Sequence, residues 1–504
     1  MLYVSPIVEA LRGRPRLVFW TATLIQALFW ILIPSLFYAS PPGDVPLVLA
    51  LGHEWPLGTV FGPPLADWLA EAAFRAAGRS VVGVYILAQV CVVVAFWAVF
   101  ALGRAMVGLT HAALAVLLMI GVSLFSVPTA DFGPAVLAMP LTALSLLFYW
   151  RAMGEGDRRY WFALGLVLGL GMLTTYFAAL LFALMLLFTL VTARGRARLR
   201  TPFPYLAVVI AIVVALPHLL WLWQHRRNTL LVIGDVPIGT VALQWVAQLS
   251  TLVVNHAGFL VLLIVAGALA VDRRILVPAL VREPTDPLAR LYVYFFAVAP
   301  LLLATLIAAI AGDPEPLGGS QSLVLLTGLA AILLAGDVIR LHRQSSLGWT
   351  FAALLIAPPI VAVLGVIVLP WTIAAELKIN EPSAAMGRFF TESFNRRTGR
   401  PLAIVVGDAR LGGLVALDSP QRPSLVVDAA FENAPWVSAD DIRQKGAIVV
   451  WPLTDPAGAP PAHFRARFPA MVPEVPRAFD WNVRGRLPLL RVGWAMIRPQ
   501  GRSE

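Results

Sequence analysis

Long apolar runs separated by short polar segments dominate the first three quarters of the chain. A helix needs roughly 20 apolar residues to cross a bilayer, and most of these runs approach or exceed that length. The pattern predicts eleven membrane-spanning helices, at residues 17–38, 81–103, 106–126, 133–151, 161–174, 177–193, 203–224, 256–271, 291–311, 321–339 and 350–370. The fifth and sixth of these are also compatible with one long kinked segment.

Two other segments carry apolar residues at helical spacing between polar ones, which is typical of helices that lie along a membrane surface. One is predicted at residues 65–77, inside the loop 40–80 that joins the first two spans. Its expected apolar stripe is Leu65, Trp68, Leu69, Ala72 and Phe74, and its expected solvated face is Asp67, Glu71 and Arg75. The second surface helix is predicted at residues 239–254.

From about Pro382 onwards the apolar runs shorten to strand length and turn-forming residues separate them. This pattern predicts strands at 402–406, 424–427 and 447–451 and helices at 409–417 and 438–444. In the second helix, Ser438 followed by Asp441 has the spacing of a capping box. We therefore predict a transmembrane domain at residues 1–375, including the loop 40–80, and a small α/β domain at residues 376–504.

The composition supports a polytopic membrane protein. The 504 residues are 59% hydrophobic and 13% charged, whereas soluble domains contain about 25% charged residues. The net charge of +10 would suggest nucleic acid as the partner of a soluble protein. Here the arginines cluster in short loops between the predicted spans, so we expect no nucleic-acid partner. The single cysteine, Cys91, lies in a predicted span and cannot form an intrachain disulfide.

The arginine clusters also predict the orientation of the chain. They all fall on one side of the membrane only if residues 161–193 form two spans, and basic loops mark the cytoplasmic side. Eleven spans then place the N-terminus in the cytoplasm and the C-terminal domain in the periplasm of a bacterial inner membrane. The apolar run after the basic segment 12–16 is too long for a typical cleaved signal, so we interpret it as an uncleaved signal anchor.

Candidate chemistry lies on the opposite, outer face, and it begins with the acidic loop at residues 41–44. Membrane enzymes that use lipid-linked donors need a base for the acceptor hydroxyl and cations or a metal for the leaving phosphate. Asp44 is the best candidate base, and Asp131 is a second carboxylate on the same face. If both act in one site, their Cα atoms should lie within roughly 15 Å of each other, the width of a substrate pocket.

Other residues on this face are candidates for substrate or metal binding. Arg226 and Arg227 could contact a phosphate, because guanidinium pairs with phosphate in a bidentate fork. Asp44 and Asp131 could hold a divalent metal ion, although no cofactor is certain. The weaker candidates for hydrogen bonding or metal binding are His53, Glu54 and His225.

Each candidate also has a structural interpretation. Asp44 could be a turn former, Asp131 could cap the following span, and the two arginines could extend toward the membrane interface. Gly407 and Asp408 could bind a ligand at a helix N-terminus, but a tight turn is the favoured explanation.

The order of these elements resembles the glycosyltransferase C-fold, in particular the bacterial family-39 and family-83 members related to the lipid A aminoarabinose transferase and the protein O-mannosyltransferases. The matching residues include Asp44 after the first span, Pro63 and Pro64 opening the surface helix, and Asp131 with Pro134 around the start of the fourth span. Further matching segments are the glycine-rich span 165–176, which ends at Tyr176, the segment 216–225, and the stretches 399–401, 407–408, 434–436 and 446–451.

Three positions depart from the pattern of that family. The residue before the proline pair is usually His or Lys and here is Gly62, and a usual Lys in the turn before Tyr176 is Thr175. Asp44 is followed by Val45, where the family often has Glu. Two cations that would face a lipid phosphate in that family are therefore missing. Either arginines 226 and 227 or a metal ion supply the missing positive charge, or the chain has little or no transferase activity.

The resemblance implies an inverting glycosyltransferase that moves a sugar from a polyprenyl-phosphate carrier to a lipid, glycan or protein acceptor on the periplasmic side. Asp44 and Asp131 would be its catalytic residues, and Tyr176 would join the other candidates in substrate binding. The alternative is a catalytically weak or inactive scaffold that binds lipid and retains the fold. A transporter is disfavoured because no paired internal repeat and no charged residues at the membrane midplane are apparent.

Overall fold

The computed structural model describes residues 6–229, 237–266, 279–340, 344–453 and 458–500, and helices dominate it. The chain divides into two compact units. The first unit comprises Met1–Leu32, Ile86–Ala130 and Pro134–Ile360. The second comprises Ile33–Tyr85, Asp131–Gly133 and Val361–Glu504, so that it contains the predicted loop 40–80 together with the C-terminal part of the chain. The predicted domain boundary at residue 375 stays a prediction.

In the described ranges, helices coincide with all eleven predicted spans, and residues 267–271 of the span predicted at 256–271 lie outside those ranges. In chain order the helices before residue 200 are α1 (Pro6–Gly13), α2 (Pro15–Phe37), α3 (Val45–His53), α4 (Leu65–Ala76), α5 (Val82–Val107), α6 (Leu109–Met119), α7 (Pro134–Tyr149), α8 (Arg159–Met172), α9 (Phe177–Val191) and α10 (Ala193–Arg198). They are followed by α11 (Phe203–Thr229), α12 (Ile238–Asn255), α13 (Ala257–Ala266), α14 (Pro287–Ala311), α15 (Ser320–Leu323), α16 (Thr327–Leu334) and α17 (Gln344–Thr372).

Seven helices in the described ranges are long and apolar enough to cross a membrane, or eight if α6 and the short turns after it, bent by 89°, form one span. The remaining predicted spans coincide with shorter apolar helices, among them α8 and α9. These two are separate helices, as the arrangement of the arginine clusters requires. The multi-pass helical class is therefore confirmed, and the count of eleven spans stays a prediction.

The glycine-rich segment in α8 is explained by helix packing. A Cβ atom at Gly165 would lie 2.5 Å from the carbonyl oxygen of Ala207, and one at Gly169 would lie 2.6 Å from Cβ of Val214. Both neighbours belong to α11, so the absence of side chains at these glycines lets the two helix backbones approach closely.

The second predicted surface helix is α12. Its Trp245 indole donates a hydrogen bond to the Thr305 hydroxyl at 2.9 Å, and its Gln248 amide donates to the carbonyl of Asp313 at 2.9 Å. One face of α12 therefore packs on α14 and the turn after it. Because α12 is also long and apolar enough to cross a membrane, its position in the interface stays a prediction.

The first unit contains a small two-stranded antiparallel sheet of β1 (Ala279–Val281) and β2 (Val338–Arg340). The second unit contains a six-stranded sheet formed by β3 (Ile404–Gly407), β4 (Ser424–Val427), β5 (Ala447–Pro452), β6 (Val472–Pro473), β7 (Arg477–Phe479) and β8 (Leu490–Ile497). Strands β4, β3 and β5 run parallel in that order, β8 pairs antiparallel with β5, and β6 and β7 both pair with β8.

The helices of the second unit that flank this sheet are α18 (Ser383–Thr398), α19 (Ala409–Asp418), α20 (Ala439–Lys445) and α21 (Ala462–Arg467). All three predicted strands and both predicted helices are present, and Ser438 and Asp441 form the predicted capping box at the start of α20. Strand β8 and helix α18 were not predicted. The buried hydrophobic residues form two clusters that contain alternate residues of the central strands, as expected for a sheet covered on both faces.

Candidate active site

Asp44 immediately precedes α3 and presents an exposed carboxylate. Its side chain makes no capping hydrogen bond to the helix that follows. Within the described ranges, the only hydrogen bond of this residue outside the helix is donated by its backbone N–H, and the carboxylate takes part in neither a hydrogen bond nor an ion pair. The turn therefore does not depend on the Asp44 side chain, which leaves that carboxylate accessible to a substrate.

Asp131 lies directly against this turn. Its Oδ1 atom accepts a hydrogen bond of 2.9 Å from the backbone N–H of Asp44. A Cβ atom built on Gly43 would lie 1.6 Å from Oδ2 of Asp131, so that the carboxylate occupies the space that any side chain at Gly43 would need. One hydrogen bond joins the two residues, so their Cα atoms lie well within the expected separation of roughly 15 Å.

The hydrogen bond between Asp131 and the Asp44 backbone also indicates a structural role for Asp131. Its carboxylate accepts a hydrogen bond from the backbone N–H of Asp44, the residue that immediately precedes α3. Negative charge at a helix N-terminus is favourable, because the helix dipole places partial positive charge there. Asp131 thus holds the backbone of Asp44. The predicted catalytic role of Asp131 itself stays a prediction.

Gly43→Ala is expected to lower any activity of the Asp44 site by at least tenfold. Gly43 has a φ of +45°, and an added methyl group must displace the Asp131 carboxylate and with it the backbone of Asp44. Gly78→Ala is the matched control, since Gly78 also has positive φ, at +72°, but faces open space. Turnover measured for both variants checks the prediction, which fails if the two lose activity equally.

Arg410, the second residue of α19, holds the carbonyl side of the same turn. Its guanidinium donates hydrogen bonds to the carbonyls of Gly43 at 2.9 Å and Pro41 at 3.3 Å. It also donates to the Lys378 carbonyl at 2.7 Å and to a Glu381 carboxylate oxygen at 2.8 Å. One arginine therefore joins the turn before Asp44 to the segment that precedes α18.

The expected solvated face of α4 is wrong for Asp67 and Glu71, whereas Arg75 is exposed as predicted. Asp67 and Glu71 are 5% and 2% exposed, whereas Ala72 of the expected apolar stripe is exposed. The reason is a buried ionic cluster around Glu71. Its carboxylate accepts hydrogen bonds from Arg75 at 2.7 Å and from Arg422 at 3.1 Å.

Arg422 enters this cluster from the loop after α19. Its guanidinium also donates to the carbonyl of Leu49 at 3.0 Å and lies 4.7 Å from the centre of the Phe74 ring. Burial lowers the pKa of this arginine, and the charge of Glu71 opposes that effect. Burial raises the pKa of Glu71, but the nearby His53 ring, the hydrogen bond from Arg75 and the charge of Arg422 outweigh burial and lower that pKa overall.

Asp67 lies on the same helix without a compensating cation, and burial raises the pKa of its carboxyl group well above the usual value. A raised folded-state pKa means that the protein loses stability as the pH rises above the pKa of the unfolded chain. Asp67→Asn is therefore expected to raise the melting temperature at pH 7–8 by about 2–4 °C and to change it little near pH 4. Melting curves of the purified protein at both pH values test this; an equal shift at both would contradict it.

The candidates His53 and Glu54 lie at the end of α3. Nδ1 of His53 is 3.6 Å from a carboxylate oxygen of Glu71, so the histidine faces the buried cluster on α4. In the part of the chain that the structure describes, one carboxylate oxygen of Glu54 is buried and has no hydrogen-bond partner. Their predicted roles in substrate binding stay predictions.

The remaining candidates belong to the first unit. The Tyr176 hydroxyl is 3.4 Å from Nε2 of the buried His218. Nδ1 of His225 is 3.0 Å from the carbonyl of Trp221, and the two rings stack with their centres 4.6 Å apart. Arg226 and Arg227 belong to the last turns of α11, but their side chains lie outside the described part of the structure.

The two positions that lack the expected cations have different surroundings. Gly62, with a φ of +142°, faces open space and pairs through its backbone with Thr59. Thr175 lines a cavity of about 10 Å³, at the lower limit of the space that holds one water molecule, between α7, α8 and α9. Neither position carries a charge that could contact a phosphate.

A divalent metal at Asp44 and Asp131 stays a prediction. The described part of the chain contains no group of three or more His, Cys, Asp or Glu residues that could hold a metal ion. The pair would supply two carboxylates, so water or a substrate phosphate would have to complete the coordination of a hard cation.

Arg410, Arg422 and Glu381 are the residues near the site that sequence reasoning missed. Each lies far from residues 41–71 in the chain, and no local motif indicates that the fold brings them together. The available signal is the placement of Arg410 in the first turn of α19 and of Arg422 in the loop after it, on either side of a mainly apolar and small-residue segment.

Comparisons with known proteins agree with this architecture. Residues 62–221 match the family model described as dolichyl-phosphate-mannose-protein mannosyltransferase. The chain is 25% identical over 422 residues to the lipopolysaccharide core galacturonosyltransferase RgtB of Rhizobium johnstonii. The alignment covers 80% of this chain and 81% of that protein.

Two crystal structures of ArnT from Cupriavidus metallidurans have the same fold. The structure bound to undecaprenyl phosphate matches with a TM-score of 0.60 at 12% identity, over 96% of this chain and 99% of that one. The apo structure matches with a TM-score of 0.59 at 12% identity, over 97% and 100% of the two chains. The chain therefore has the glycosyltransferase C-fold, and the resemblance found in the sequence is confirmed.

Proposed function

We propose that this protein is an inverting glycosyltransferase that moves a sugar from a polyprenyl-phosphate carrier to an acceptor on the periplasmic side of a bacterial inner membrane. The observation that carries the proposal is the Asp44 carboxylate, which is exposed and without a hydrogen-bond partner in the described structure, on a turn that Asp131 and Arg410 hold in place. A general base needs this combination of a fixed backbone and a free acceptor atom.

The proposed reaction is a single displacement. The acceptor oxygen forms a bond to the anomeric carbon of the donor, and its proton passes to the Asp44 carboxylate. The bond between the anomeric carbon and the phosphate oxygen breaks, and polyprenyl phosphate leaves with the electron pair. Attack opposite the leaving group inverts the anomeric configuration, since no covalent intermediate with the enzyme forms.

The proposed donor class is supported by ArnT, whose structure was solved with undecaprenyl phosphate. The relative RgtB is named for galacturonosyl transfer to the lipopolysaccharide core, which makes galacturonic acid the first sugar to test. We propose that Tyr176, His225, Arg226 and Arg227 contribute to binding the donor. A divalent metal, if bound, would take Asp44 and Asp131 as ligands and stabilise negative charge on the phosphate.

The uncharged residues at positions 62 and 175 favour a second candidate, a lipid-binding scaffold without transferase activity. Purified full-length protein, incubated with labelled undecaprenyl-phosphate-linked sugars including galacturonic acid, separates the two candidates. Transfer of label to a lipopolysaccharide or lipid A acceptor, or release of polyprenyl phosphate, supports the enzyme. Binding of the lipids without release of any sugar supports the scaffold.

The proposal requires the acidic turn to face the periplasm. Reporter fusions that end at Gln344 and at Arg422 are expected to report the cytoplasm and the periplasm respectively, because an odd number of spans separates the N-terminus from the C-terminal domain. Alkaline phosphatase and a cytoplasmic fluorescent reporter measure this directly. The same compartment for both fusions would contradict the proposed orientation.

A further inference from the structure

We propose that the C-terminal α/β fold serves as a positioning device for the acidic turn, and that Arg410 is the positioning residue through which it acts on Asp44. The inference rests on the proposed function, which makes Asp44 the base. It assigns a part in the reaction to a segment of the chain that lies outside the matched family region 62–221.

The first argument is the number of groups that Arg410 connects. Its side chain is 15% exposed, and its donors reach the turn carbonyls of Pro41 and Gly43, the Lys378 carbonyl and the Glu381 carboxylate. A guanidinium is planar and carries five N–H donors in a fixed fork, so it can satisfy several acceptors at once. An ammonium or a neutral side chain cannot reproduce this set.

The second argument is that the N-terminus of α19, from which the Arg410 side chain extends, is itself held in place by a cap. The Asp408 side chain caps α19 by accepting a hydrogen bond from the N–H of Leu411 at 2.7 Å. Because the Asp408 side chain accepts hydrogen bonds from the N-terminal N–H groups of α19, the cap supports a tight turn at Gly407 and Asp408 over a ligand site. Burial raises the pKa of the Asp408 carboxyl group, and the bonds to backbone N–H groups oppose that effect.

The third argument is the packing of α19 against α3, the helix that Asp44 begins. A Cβ atom at Gly413 would lie 3.1 Å from backbone and side-chain atoms of Pro46, so the two helices are in close contact there. From the loop after α19, Arg422 donates to the carbonyl of Leu49, in the middle of α3. The two arginines therefore attach the turn before α3 and the middle of α3 to the α/β fold.

Together these contacts hold the backbone on either side of Asp44. Arg410 holds the carbonyl of Gly43, and Asp131 holds the N–H of Asp44, so the peptide unit between these residues is fixed at both its polar atoms. A displacement of 1 Å in a reacting group can cost about 10²-fold in rate. Loss of the Arg410 fork should thus lower turnover without removing a group that binds the donor.

The test compares Arg410→Ala, Arg410→Lys and Arg443→Ala in the full-length protein. Arg443 lies on the same α/β fold, is 64% exposed and pairs only with Asp440 in the described structure, so it is the matched control. We expect Arg410→Ala to lower kcat by about 10²-fold with a donor KM within threefold of wild type. Arg410→Lys should fall between alanine and wild type, and Arg443→Ala should match wild type.

A double-variant cycle distinguishes positioning from general damage. If Arg410 acts through Asp44, Asp44→Asn combined with Arg410→Ala should be no slower than Asp44→Asn alone. The proposal would be overturned if the fold-loss of turnover in the double variant equalled the product of the fold-losses in the two single variants. Full recovery of turnover by lysine would also overturn it, because charge alone would then be sufficient.

Hydrogen exchange tests the same contact without turnover. In Arg410→Ala, backbone amides of residues 43–48 should exchange at least tenfold faster than in wild type, and in Arg443→Ala they should not change. Unchanged exchange in Arg410→Ala would overturn the proposal. A wild type that transfers no sugar would instead remove the proposed function, and the exchange result would still decide whether Arg410 holds the turn.

Discussion

Asp44→Asn is expected to lower turnover by about 10²- to 10⁴-fold while the protein remains folded. Asparagine cannot accept the proton of the attacking hydroxyl at neutral pH, whereas it suits the same turn. The backbone N–H that bonds to Asp131 is retained, and the Asp44 carboxylate has no partner to lose in the described structure. Initial rates with a polyprenyl-phosphate sugar donor, together with melting curves, measure both parts of the prediction.

Asp480→Asn is the matched control for this experiment. Asp480 is 73% exposed in the same unit of the structure and forms only a loose ion pair of 3.5 Å with Arg484. Its substitution should leave turnover within twofold of wild type. Near-normal turnover in Asp44→Asn would refute Asp44 as the base and would leave Asp131 as the remaining carboxylate at the turn.

Arg422→Ala is expected to destabilise the protein by about 3–5 kcal/mol, the usual consequence of removing one partner from a buried ion pair. The Arg422 side chain is 9% exposed and pairs with Glu71, which is 2% exposed. The substitution removes the bond to the Leu49 carbonyl and the contact with the Phe74 ring as well. Unfolding of the purified protein in mixed micelles with increasing denaturing detergent measures the loss.

The control for stability is Arg443→Ala, which breaks an exposed pair worth about 0–1 kcal/mol. Glu71 keeps its bond to Arg75 in the Arg422 variant, so a loss smaller than the expected range would show that Arg75 alone compensates the buried carboxylate. A loss equal to that of Arg443→Ala would contradict the importance of the buried cluster for holding α4 against the loop after α19.

Periodicity was sufficient to predict most of the helices and the three central strands, because these elements are built from local patterns. The apolar runs became helices, and the short runs at 424–427 and 447–451 became β4 and β5. Strand β8 was missed because Arg491 and Gly493 interrupt its apolar pattern. Its identity as a strand depends on pairing with β5, which is distant in sequence.

The wrong prediction for α4 has a physical cause. The spacing of Asp67 and Glu71 is compatible with either a solvated face or a buried one, and burial of charge is normally unfavourable. The buried orientation is stabilised by Arg422, which is about 350 residues further along the chain. Where a helix borders lipid, its apolar side can also face outward, so amphipathic spacing alone does not indicate which face is inside.

The candidate site was predictable in part. The proline-rich turn identified Asp44, and the shared outer face identified Asp131, because both signals are local. The contact between them was an expectation that only the fold could test. The hydrogen bonds of the Arg410 guanidinium were not predictable, since its acceptors are three backbone carbonyls and one carboxylate from separate segments.

The most direct test of the central claim is the anomeric configuration of the transferred sugar. Purified full-length protein in proteoliposomes should convert a polyprenyl-phosphate sugar of known configuration into a product with the opposite configuration, as determined by NMR of the isolated product. Inversion with concurrent release of polyprenyl phosphate is the predicted result. Retention of configuration, or the absence of transfer from every donor tested, would contradict a one-step displacement with Asp44 as base.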